Sequence, residues 1–199
     1  SSTESGDFYG MNAALLATDG ARVTVEDSAV HSAALNGNGL FSYGKGTMIS
    51  AKNVTITTEG SHSGGLQTTG GALTEAENVT VSTAGNSSAA IRSDRGGGTV
   101  LVKGGTFRTE GYGSPAIYST ADISIEGADL SASRSEGAVI EGKNSIALKN
   151  CRMEGNMADT RLMGKELIKE ENVHTVMIYQ SMSGDADEGT SAFSMEGGS

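Results

Sequence analysis

The chain has one proline, one cysteine and no tryptophan among its 199 residues. A single cysteine cannot form an intrachain disulfide, so no disulfide framework holds the fold, and the redox compartment stays open. Positive charge is scarce as well: 14 Lys and Arg stand against 24 Asp and Glu, for a net charge of −10. Phosphate binding needs clustered Lys and Arg, so nucleic acid is not an expected partner, and an anionic membrane surface is disfavoured too. No apolar run approaches the about 20 residues of a membrane-spanning helix, so no membrane insertion is expected. Long runs of straight-chain helix formers are also missing, which argues against a helical bundle. What is abundant is glycine, at 29 residues, together with Ser, Thr and Ala. The length suffices for one well-buried domain.

Laid against itself, the sequence repeats. Val100 to Phe107, VLVKGGTF, is apolar at its first, third and eighth positions. The template also fits VTVEDSAV from Val23, ISAKNVTI from Ile49, TEAENVTV from Thr74, ISIEGADL from Ile123 and IALKNCRM from Ile146. FSMEGGS, from Phe193, begins a seventh copy. The first six anchors lie 26, 25, 26, 23 and 23 residues apart. A second column, each member following a small residue, precedes them: Leu15, Leu40, Leu66, Ile91, Ile117 and Val139. Alternation with a period of two means strand with one side buried. Short strands recurring at this interval are the mark of a parallel β-helix. The expected fold is all-β: residues 1–199 form one solenoid segment of about seven coils, three short strands each, starting near 14, 39, 65, 90, 116, 138 and 176. At about 4.8 Å per coil the rod is roughly 30 Å long.

Two columns not used in the alignment support it. The fifth template position reads Asp27, Asn53, Asn78, Gly104, Gly127, Asn150 and Gly197. These residue types tolerate the left-handed backbone that a bend between two strands demands. The fourth reads Glu26, Lys52, Glu77, Lys103, Glu126, Lys149 and Glu196. Opposite charges on adjacent rungs favour this register, and a one-coil slip would oppose like charges. Gly96-Gly97-Gly98 then becomes the turn between two strands of the fourth coil. A phosphate-cradling loop would need a helix after its glycines.

The repeat is interrupted over 155–174, expected as a loop or one-turn helix carrying the apolar patch Leu162, Met163, Leu167 and Ile168, and a shorter excursion follows at SGDADEGTSA. Insertions on solenoids gather on one face, often the binding face. Residues 1–10, SSTESGDFYG, show no amphipathic cap helix. An uncapped coil exposes unpaired edges, so the chain is expected to be a segment of a longer β-helix or to associate end to end with its own copies.

The outward positions of the first strand read Leu16, Phe41, Gln67, Arg92, Tyr118 and Ile140, beside Thr18, Tyr43, Thr69, Asp94 and Thr120. Aromatic rings among amides and charges on a flat sheet suit a polysaccharide or host glycan. The candidate ligand-binding residues are Phe41, Tyr43, Gln67, Arg92, Asp94 and Tyr118, set against the plain alternative of scattered surface residues. Hydrolysis needs two carboxylates within about 10 Å, and only Asp94 and Glu141 come near that. Arg92 and Arg95 are expected to hold Asp94 in a surface ion pair, so no catalytic residue is assigned. Asp185, Asp187 and Gly189 have a faint calcium-loop spacing without a distal Glu, and His31, His62 and His174 fall in different columns, so neither metal nor cofactor is expected. Cys151 falls in an inward column as an inert thiol. Asn53 and Asn78 match the glycosylation pattern but belong to the bend ladder, where their side chains are expected to engage backbone.

GNSSAAIRSDRGGGTVLVKGGTF, YGSPAIYSTADISIEGA and VMIYQSMSGDADEGT resemble segments of bacterial right-handed parallel β-helix proteins of the adhesin-like or pectate-lyase-like surface type. The resemblance covers nearly the whole chain. It implies a right-handed helix, secretion or display at the cell surface, and a longer parent chain, and it brings no catalytic residues with it. The expected function is a non-enzymatic adhesive or structural rod with a glycan-binding first face. The alternatives are a polysaccharide lyase or hydrolase centred on Arg92, Asp94 and Glu141, and a self-assembling filament subunit.

Overall fold

The computed structural model describes residues 3–157, 161–163, 166–168, 173–181, 184 and 186–199. One helix, α1 (Thr3–Tyr9), precedes a succession of short parallel strands that wind into a β-helix. The first face stacks Leu15–Ala17, Leu40–Tyr43, Leu66–Thr69, Ile91–Ser93, Ile117–Ser119, Ala138–Glu141 and Val176–Tyr179. The second runs from Arg22–Glu26 and Met48–Lys52 to Ser145–Lys149 and Ala192–Glu196. The third runs from Ala29–Ser32 to Arg152–Gly155. In the middle coils the strands Ala72–Thr83 and Gly98–Thr109 pass through the bend and serve both the second and third faces. The described residues thus make six complete coils and the first two faces of a seventh.

The anchors stack as their spacing requires: Val23 on Ile49, then Thr74, Val100, Ile123, Ile146 and Phe193. Ile49, Val100, Ile123, Ile56, Val81, Phe107 and Leu130 are fully buried in the central core. Each such side chain contributes about 1.5–3 kcal/mol relative to exposure. Thr74 is the polar member of the anchor column, and its hydroxyl meets those of Ser42 and Thr68 at 2.7 Å each. The buried hydroxyls satisfy one another, as buried polar groups must.

Every residue of the bend column has positive φ: Asp27 47°, Asn53 52°, Asn78 52°, Gly104 64°, Gly127 70°, Asn150 52° and Gly197 64°. The asparagines form a side-chain ladder instead of engaging backbone, with Asn53 Nδ2 donating to Asp27 Oδ1 and Asn78 Nδ2 to Asn53 Oδ1, both at 2.9 Å. Beside them Lys52 meets Glu77 at 2.9 Å and Lys149 meets Glu126 at 3.5 Å. A third ladder, of serines, closes the bend back to the first face. Gly37 N–H donates to Ser63 Oγ, Ser63 N–H to Ser88 Oγ and Ser88 N–H to Ser114 Oγ, at 2.8–2.9 Å.

Three expectations are corrected. Ile117 stacks on Ala138 rather than Val139, Tyr118 on Val139, and Ser119 on Ile140. Above, the inward pair is large then small (Ile117, Ser119). Below, it is small then large (Ala138, Ile140), so the filled volume is kept while the order inverts. Ile140 therefore points inward and is fully buried. Residues 3–9, expected to lack a helix, form α1. Within the 155–174 insertion, Arg161–Met163 and Glu166–Ile168 pair antiparallel, so it carries strand rather than a helical turn. The intervening residues, and Asp185 of the acidic excursion, lie outside the described residues.

Candidate functional site

α1 lies across the outside of the first face. Glu4 in its first turn favours the helix N-terminus, and Gly10, at φ 71°, ends it. Two glycines let it sit close: a Cβ on Gly6 would lie 2.5 Å from Asn36 Cβ, and one on Gly10 would lie 2.7 Å from the Phe41 ring. The helix is anchored at both ends. Arg95 pairs with Glu4 at 2.5 Å and stacks over the Phe8 ring at 3.9 Å, while Tyr9 meets Tyr43 edge-on at 5.4 Å. Its carbonyls also accept bonds from the sheet, Asp7 O from Gln67 Nε2 at 3.4 Å and Phe8 O from Thr69 Oγ1 at 3.0 Å.

The first face is therefore a covered surface and not an open one. Phe41 and Gln67 are fully buried, Asp94 is 4 % exposed, and only Tyr43, Arg92 and Tyr118 keep partial access. Under the rim of α1 opens a cleft of about 350 Å³ lined by Asp7, His62, Arg92, Asp94, Pro115 and Tyr118, among others. Arg92 is its centre. Its Nε bonds Asp94 Oδ2 at 2.7 Å, and its Nη1 faces Asp7 Oδ1 at 3.9 Å. Gln67 Nε2 also donates to Asp94 Oδ2, at 3.3 Å, and His62 Nδ1 lies 3.7 Å from Asp7 Oδ2. The Arg92–Asp94 pair is thus buried rather than a surface pair, and Arg95 belongs to the α1 anchor.

Farther along the face, Glu141 shares the outward column of Asp94, two rungs away with Thr120 between. Two rungs correspond to about 10 Å. Glu141 Oε2 accepts from the hydroxyls of Tyr118 and, at 3.1 Å, Tyr179. Burial, then these bonds, push the Tyr118 phenol far above its ordinary value. Burial is also the main cause that takes Tyr179 up to about 12, with the Glu141 charge adding and the bond from Tyr118 opposing. Both phenols stay protonated and act as donors. Asp7 titrates above its ordinary value because burial outweighs the pull of Arg92 and His62. Among the described residues, no group of three or more His, Cys, Asp or Glu is arranged to hold a metal ion.

Of the residues singled out in the sequence, Gln67, Arg92, Asp94 and Tyr118 come together around the cleft. Tyr43 lies apart against Tyr9, and Phe41 sits beneath Gly10. The sequence reading missed Asp7, Phe8, His62 and Tyr179. Tyr179 was legible, because it continues the Asp94–Glu141 column at one more rung. Asp7 and Phe8 carried no periodic signal, and their only cue was complementarity to Arg92 and Arg95. Compared with protein-family models, curated proteins and solved structures, the chain matches none of them. Its class is the one the fold defines, a parallel β-helix.

Proposed function

We propose that the protein is a non-enzymatic extracellular rod of the adhesin-like β-helix type, and that it binds glycan in the cleft beside α1. One observation carries the binding site. Asp7 Oδ1, Gln67 Oε1, Arg92 Nη1 and Thr120 Oγ1 are buried without a hydrogen-bond partner among the described residues, and all four belong to α1 or the first face. An unpaired buried polar atom costs about 1–3 kcal/mol, so a concentration of them marks a place where a polar ligand gains on binding. Tyr118 adds a partly exposed ring at the cleft wall, the type of surface on which a sugar ring stacks.

The second reading is a polysaccharide lyase or hydrolase, favoured by Asp94 and Glu141 sharing one column. Against it, Asp94 is held by Arg92 and Gln67, and Glu141 by two phenols, so neither carboxylate is presented to a reacting atom. The test is calorimetric titration of the whole chain with a panel of oligosaccharides, with product analysis of each mixture. Binding without cleavage is expected. Arg92→Lys, which keeps the charge but loses the planar fork, should weaken binding about tenfold or more and, because it also loosens the buried pair with Asp94, should lower the melting temperature, so binding is compared at a temperature where both proteins are folded. Cleaved products would replace the adhesive reading with the enzymatic one.

A further inference from the structure

The second face is bare where the first is covered, and its outward side chains stand in three columns. Over the last four coils the middle column reads Leu101, Ser124, Ala147 and Ser194, all exposed. Leu101 is 40 % exposed, and among the described residues it is the one large apolar side chain exposed on this face. Beyond it the small side chains leave a groove of about 420 Å³, and the charge ladder of Lys103, Glu126, Lys149 and Glu196 forms its rim. Over these coils two Lys offset two Glu, in a chain that carries −10. The ladder therefore adds no net repulsion between two copies that meet there.

We propose that this groove is the contact surface for a second copy of the chain, in a side-by-side antiparallel dimer. A twofold axis parallel to the strands turns one second face onto the other and sets each column against itself, with the coil order reversed. Centred between Ser124 and Ala147, that axis places Lys103 against Glu196 of the second copy and Glu126 against its Lys149, each contact occurring twice. Leu101 then seats over Ser194 of the second copy, at the open end of its groove, and Ser124 lies over Ala147. In the column on the other side Asp122 faces Ser145 and Thr99 faces Ala192, so no like charges oppose. The alternation fixes the register. A shift by one coil sets Lys on Lys and Glu on Glu. A shift by two restores opposite charges, but it either carries the Glu75 carboxylate over Ala147 or leaves only two coils in contact. Four coils at about 4.8 Å and five residues at about 3.3 Å give a patch of roughly 20 by 17 Å, small enough that the association is weak. The first face belongs to a separate sheet, so the cleft beside α1 stays open in the dimer and the contact stands independently of the glycan reading.

The experiment is sedimentation of the full chain across concentration, for the native protein, Lys103→Glu, Glu196→Lys and the double variant, with a thermal melt of each to establish folding. The native chain should pass from monomer to dimer with a midpoint of about 100 μM and form nothing larger. Each single substitution creates two like-charge contacts across the dimer and should weaken it about tenfold or more. The double variant, which exchanges the two charges, should return close to the native midpoint. Within one chain these positions lie three coils apart, and each substitution puts like charges on neighbouring rungs. An effect confined to the single rod would therefore accumulate in the double variant instead of cancelling. Leu101→Asp, which replaces the apolar contact with a carboxylate, should weaken the dimer by a similar factor. A chain that stays monomeric to about 1 mM would overturn the proposal, as would a dimer indifferent to the single substitutions or not recovered in the double variant. Growth into longer chains would overturn it as well, by assigning the association to the coil ends.

Discussion

At Arg92 two carboxylates compete for one guanidinium, and the outcome sets the character of the cleft. Asp94 takes Nε in a close, buried pair, whereas Asp7 is left at 3.9 Å with an oxygen unpaired. Asp7 therefore bears the cost of burial without full compensation, which is why its carboxyl titrates above the ordinary value of 3.8. A carboxyl with a raised folded pKa binds its proton more tightly in the folded state. Its stabilising contribution is fully present below the unfolded value and is lost as pH rises through the folded one. Asp7→Asn should then leave the melting temperature unchanged or higher at neutral pH, and the difference should vanish on acidification through the carboxylate range. Melting curves of both proteins across that range check it. A variant that is destabilised most at neutral pH would show instead that the Asp7–Arg92 attraction outweighs burial.

At the scale of the strand, the sequence was legible wherever one residue type had one reason to recur. The anchor column, the positive-φ bend and the alternating charges each answer a single demand: burial, backbone geometry or rung-to-rung attraction. The fold was read from their agreement. Errors arose where a pattern had two solutions. Ala138, Val139 and Ile140 are apolar in succession, so size alone could not say which pair points inward, and the partner rung decided it. α1 was hidden for another reason. Seven residues with a central Gly6 carry no amphipathic stripe, and such a short helix persists only through its contacts with Arg95, Gln67, Thr69 and Tyr43. The serine ladder was visible in principle, since Ser63, Ser88 and Ser114 recur in phase with the coils. The inward and outward assignment has a direct check. Val102 is 2 % exposed, and Val102→Asp buries an unpaired charge at a cost of about 3 kcal/mol or more, a large part of a domain's total stability. Its exposed neighbour Lys103 sits between Glu77 and Glu126, so Lys103→Glu exchanges screened surface attraction for screened repulsion and should lower the melting temperature far less than Val102→Asp. Equal losses in the two variants would mean that the columns are reversed.

Over the whole molecule, the three faces have divided their tasks. The second face carries the charge ladder and the third an outward column of His31, Thr57, Ser82, Arg108, Ser131 and Glu154, of which the serines and Thr57 are half-buried. Polar groups are buried without partners on the first face and its flanks, where α1 and the bend serines also meet it. A further buried ion pair, His174 Nε2 with Glu136 Oε1 at 3.3 Å, occupies the approach to first-face strands. A stacked scaffold fixes the spacing of these groups, so a ligand would meet a preorganised set of donors and acceptors. The most direct measurement is to map backbone amide shifts by NMR while the full chain is titrated with a neutral oligosaccharide. Saturable shifts should concentrate at residues 7–8, 62, 92–94 and 118, leaving the second-face ladder from Glu26 to Glu196 unmoved. Shifts confined to the second or third face, or none at all, would contradict a ligand site on the first.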